Sequence, residues 1–76
     1  MPFLKNLTLS YEEVITISSR EVIKRLKKEG WLIANIEGSH HQFKHPSKVG
    51  KVTVKHPCKD IPKGTLRSIY KQACWL

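Results

Sequence analysis

Apolar residues fall at helical spacing in two stretches of this chain and alternate with polar ones in the segment between them. The first stretch opens with Ser18-Ser19-Arg20-Glu21, the form of a capping box, in which the Ser18 hydroxyl takes an orphan amide and Glu21 reaches back. Val22, Ile23 and Leu26 follow, interleaved with Lys24, Arg25, Lys27 and Lys28, and Gly30 is a normal stop. That pattern predicts an amphipathic helix with a basic outer face. In the second stretch Leu66, Ile69, Tyr70 and Ala73 lie at i, i+3, i+4 and i+7, one buried face of a helix that starts near Lys63-Gly64-Thr65. Arg67, Lys71 and Gln72 fall outside that face.

Between the helices the period changes to two. Trp31–Ile36 is rich in strand formers, Gly38-Ser39 makes a tight connection, and His40–Lys44 alternates. Pro46-Ser47-Lys48-Val49-Gly50 reads as a turn or short loop, and Val52-Thr53-Val54 as a third strand. A loop over His56–Pro62 leads to the second helix. The predicted order is helix, three-stranded antiparallel meander, helix: an α+β, two-layer domain with both helices on one sheet face and the other face open. Residues 1–17 fit no long period. Val14-Ile15-Thr16-Ile17 suits a short strand or a loosely packed extension. We therefore divide the chain into an N-terminal extension, 1–17, and one domain, 18–76.

Seventy-six residues make a single domain with one modest core, too small for a deep cavity with its own lid. The net charge of +8 is uneven. Residues 1–37 hold six basic and five acidic groups, whereas residues 38–76 hold eight basic groups and only Asp60. A one-signed field on half of a small domain attracts polyanions, nucleic acid first among them. An acidic protein partner suits the same field, and both can share one surface. The start Met1-Pro2-Phe3-Leu4-Lys5 lacks a basic region followed by a long apolar run, and no stretch approaches the about 20 apolar residues of a membrane span. The expectation is a cytoplasmic protein with reduced thiols, Cys58 and Cys74 serving as packing residues.

Candidate chemistry concentrates in Glu37-Gly38-Ser39-His40-His41-Gln42-Phe43. Phe43 marks the buried face of its strand, so His41 and His45 share that face and His40, Gln42 and Lys44 share the open one. His40 then stands at the mouth of a turn beside basic groups, where an imidazole can exchange a proton near neutral pH. The plain alternative is a surface histidine with no role. A metal site fits poorly. His41 and His45 lie about 13 Å apart by the strand rise, and neither Cys-x-x-Cys nor a helical His-x-x-x-His occurs. No phosphate loop or dinucleotide fingerprint is present, so no cofactor is expected. Lys63-Gly64-Thr65 is either an anion contact at a helix start or an ordinary start after Pro62.

These segments together resemble the HicA (YcfA-like) toxins. The resemblance rests on Ser19-Arg20-Glu21-Val22-Ile23-Lys24-Arg25-Leu26 with Gly30-Trp31, and on Gly38-Ser39-His40-His41-Gln42-Phe43-Lys44-His45-Pro46. It continues through Lys51-Val52-Thr53-Val54, His56-Pro57, Lys59–Leu66 and Ile69–Ala73. It covers about residues 18–75; residues 1–17 depart from it. The resemblance implies a fold like a double-stranded-RNA-binding domain, a ribonuclease that cuts mRNA, and a neutralising HicB antitoxin. The family's catalytic histidine maps onto His40. Some relatives place it one residue later, which keeps His41 as the reserve candidate. We expect Ser39, Lys44, Lys51, Lys55, Lys63 and Arg67 to contact RNA, without a metal ion. The alternative is a non-catalytic basic RNA-binding module of the same shape.

Overall fold

The computed structural model describes residues 17–76. Five elements follow one another: α1 (Ser19–Lys28), β1 (Leu32–Glu37), β2 (His40–His45), β3 (Lys48–Lys55) and α2 (Lys63–Gln72). The strands form an antiparallel sheet in the order β1-β2-β3, and both helices lie against one face of it, chiefly over β3. This is the predicted helix, three-stranded open sheet, helix arrangement.

α1 starts where its capping box requires. The Ser18 hydroxyl accepts from the Glu21 amide, and the Glu21 carboxylate accepts from the Ser18 amide. Glu29 caps the other end, and Gly30 follows at φ +95°, open to glycine and strained for other residues. Val22 and Leu26 are buried and Ile23 partly so. Trp31, predicted as the first strand residue, instead precedes β1 and lies wholly inside the core, its ring held edge-on to His45 at 5.3 Å. His45 joins helix to sheet. Its Nδ1 accepts from the Ser47 amide, so its Nε2–H donates to the Glu29 carbonyl at 2.9 Å.

Phe43, Val52 and Val54 form the sheet's contribution to the core, facing Ile61, Leu66, Ile69, Tyr70 and Ala73. All four residues of the predicted α2 stripe are therefore buried. After α2, Trp75 folds back onto α1: its indole N–H donates to Glu29, and the Arg25 guanidinium sits 3.9 Å from its ring centre.

Two irregularities escape a simple period of two. The register slips between Ile33 and Asn35, so Ile33 pairs with Phe43 and Ile36 with His41. This bulge at Ala34 keeps both isoleucines on the helical face, although they are three apart. The helices lie chiefly over β3, away from β1, and both isoleucines remain about half exposed. The second slip lies in β3, where His45 pairs with Lys48 and Lys44 with Lys51. The predicted loop over Pro46–Gly50 is thus reduced to Pro46-Ser47. Lys48, Val49 and Gly50 belong to β3, Val49 and Gly50 forming the bulge, with Gly50 at φ +86°.

Of Val14–Ile17, only Ile17 is described. Its carbonyl accepts from the Ile61 amide and its side chain packs on the core. The remainder of the proposed 1–17 extension lies outside the described residues. Cys58 packs partly against the core, as expected. Cys74 does not: it is exposed, at φ +64°, where the chain leaves α2.

Candidate functional site

The Gly38-Ser39 turn positions the site. Two residues join β1 to β2, with Gly38 at φ +58° in the first central position, as a turn matched to strand twist prefers. The turn is tied from two sides through one atom. The Ser39 carbonyl accepts from the His56 amide at 2.8 Å and from His41 Nδ1–H at 3.3 Å.

His40 is the first residue of β2 and is exposed. Its Cα partners are Glu37 on β1 and Lys55 on β3. Paired residues share a face, with Cβ atoms about 4.5–5.5 Å apart. One row on the open face therefore presents a carboxylate, an imidazole and an ammonium group side by side. The next row is Asn35, Gln42 and Thr53, and the third is Leu32, Lys44 and Lys51. Lys51 reaches Gln42 with a 3.4 Å hydrogen bond. Lys44 and Lys51 are like charges directly opposed, an unfavourable pairing in an isolated sheet that an anion lying between them would relieve.

His40, Lys44, Lys51 and Lys55 are thus brought onto one face. Lys55 is directly beside His40, whereas Lys44 lies four residues further along, about 13 Å by the strand rise. Lys63 and Arg67 are on α2, in the helical layer, and do not join this face. His41 points the other way, half-buried, its ring edge-on to His56 at 5.2 Å. Glu37 opens the candidate segment, but the sequence assigns it no role. Only the hairpin register, closed across two residues, reveals that it flanks His40. Among the described residues, no three His, Cys, Asp or Glu side chains gather where one metal ion could be held, and no helix is long and apolar enough to cross a membrane.

The arrangement suits proton transfer at an exposed imidazole with positive charge at hand, on a face wide enough for an extended polyanion. No curated protein matches the chain. The family model described as HicA toxin of bacterial toxin–antitoxin matches residues 19–75, the span of all five elements and the Trp75 latch. This chain belongs to the HicA toxin family.

Proposed function

We propose that the protein is the toxin of a HicA/HicB-type pair and acts in the cytoplasm as a metal-independent endoribonuclease, cutting mRNA with His40. The observation that carries the reading is the row Glu37, His40, Lys55 on the open sheet face. His40 takes the proton of a ribose 2′-hydroxyl as that oxygen attacks the adjacent phosphorus, or returns a proton to the leaving oxygen. Lys55 offsets charge building on the phosphate, and Glu37 flanks the His40 ring from the neighbouring strand. Lys44 and Lys51 hold phosphates further along the strand, with Ser39 at the turn. Lys63 and Arg67, in the other layer, are left to a longer RNA path or to the antitoxin. The 2′-hydroxyl requirement makes RNA, not DNA, the substrate. A HicB-type antitoxin, acidic where it meets this face, silences the enzyme by covering it.

The test pairs cleavage with binding. With a defined mRNA, His40→Ala loses cleavage by about 100-fold or more, the usual scale for a lost acid–base group, and keeps RNA affinity within a few fold. Cleavage surviving in His40→Ala with loss in His41→Ala would move the role to the reserve candidate. RNA binding without cleavage by the unaltered protein would leave only a binding module.

A further inference from the structure

The open face offers one imidazole, and cleavage of a phosphodiester by internal attack uses two proton transfers. One proton leaves the 2′-oxygen and one must reach the departing 5′-oxygen. In-line displacement puts these oxygens on opposite sides of phosphorus. Glu37 is a poor second partner: it lies on the same face as His40, and an ionised carboxylate has no proton to give.

His56 meets both requirements. It follows Lys55, the cross-strand partner of His40, and its amide is bonded to the Ser39 carbonyl, so it flanks the end of the sheet at which His40 stands. Strand alternation turns it to the opposite side, where its ring packs against His41. There it lines an open cleft with Ser18, Ser19, Pro57 and Cys58, where Arg20 and Lys59, both exposed, supply positive charge. His40 and His56 thus stand on opposite sides of the same end of the sheet.

The ring is also prepared for the task. Ser19 is 1% exposed, and its Oγ lies 2.7 Å from His56 Nδ1. The same oxygen accepts from the Cys58 amide at 2.8 Å. With that lone pair used, the hydroxyl proton is free to donate to Nδ1 of the neutral ring, and the remaining lone pair can accept from Nδ1–H of the charged ring. Ser19 thus holds His56 in either charge state, with Nε2 as the end left for chemistry.

We propose that His56, held by Ser19, is the second catalytic residue of this site, an inference that rests on the ribonuclease reading above. As the 2′-oxygen bonds to phosphorus and gives its proton to neutral His40, the P–O5′ bond breaks. The imidazolium of His56 delivers its Nε2 proton to the 5′-oxygen. The products are a 2′,3′-cyclic phosphate and a 5′-hydroxyl, and solvent restores both rings.

The test uses His56→Asn, whose side-chain oxygen keeps an acceptor near the Nδ1 position for Ser19. The substrates are an ordinary RNA and the same RNA with sulfur in place of the bridging 5′-oxygen at the cleaved bond, a leaving group that needs no proton. Unaltered protein cleaves both. His56→Asn is expected to lose about 100-fold or more on the oxygen substrate and to regain nearly all of it on the sulfur substrate, with an unchanged melting temperature. Equal loss on both substrates, or no loss on either, overturns the assignment. Should the Asn variant not fold, His56→Gln carries the same comparison. Failure of the unaltered protein to cleave either RNA would instead refute the ribonuclease reading.

Discussion

Three lysines on the open sheet face make a quantitative prediction about RNA binding. Lys44, Lys51 and Lys55 project from adjacent strands onto the surface that bears His40. Each phosphate neutralised on a single strand contributes about 0.7 to the slope of log affinity against log salt, so replacing all three with alanine lowers the slope by about 2. That difference is about 100-fold in affinity at 0.1 M salt and shrinks to about fourfold at 0.5 M. Folding stability should move the other way or stay put. The three side chains are exposed, and alanine removes the opposed Lys44–Lys51 charges, a pairing of about 0.2–1 kcal/mol. Fluorescence anisotropy of a labelled single-stranded RNA, titrated at several salt concentrations in a His40→Ala background, reads the slope without consuming the probe. The reasoning is refuted if the triple variant keeps the parent slope, or if Lys63→Ala with Arg67→Ala lowers it as much.

Two further outcomes concern the fold that carries the site. Gly30→Ala places a Cβ 3.1 Å from His45 Nε2 at a backbone of φ +95°, and should cost about 1–3 kcal/mol in denaturant unfolding, the usual range for backbone strain of this kind. Burial raises the Tyr70 phenol above its ordinary value of 10.0, with Arg25 opposing part of the shift. The folded state therefore holds that proton more tightly than the unfolded chain, so the contribution is intact below pH 10 and fades as pH rises past it. The unaltered protein should lose more stability between pH 9 and 11.5, scanned by thermal melts, than Tyr70→Phe.

Much of this architecture was legible because local rules and tertiary packing agree. The Ser18–Glu21 box and the Leu66, Ile69, Tyr70, Ala73 stripe each satisfy a local requirement that the core then uses. The split of His40 from His41 followed from Phe43 alone, since no bulge interrupts β2 between them. Other features depended on pairings that a single strand does not encode. The bulge at Ala34 reverses the alternation of β1, so Ile33 and Ile36 share a face that a period of two would separate. Pro46 and Gly50 look like the two ends of a loop, yet cross-strand bonds carry β3 back to Lys48. Lys63 and Arg67 are expected, like the sheet lysines, to contact RNA, but the sequence does not say in which layer a charge lies. The link between Ser19 and His56 spans 37 positions and arises only when α1 packs against the end of β3. In the sequence His56 stands out only as the start of the loop before α2 and as part of the family resemblance.

The most direct test is how a strand with a single 2′-deoxy nucleotide at its cleavage position behaves in excess chelator. The prediction is that the all-ribose RNA is cut, leaving a 2′,3′-cyclic phosphate and a 5′-hydroxyl, while the 2′-deoxy strand binds equally well and stays intact there. Cleavage of the 2′-deoxy strand at that bond, or cleavage of either strand only when a divalent metal is restored, would contradict it.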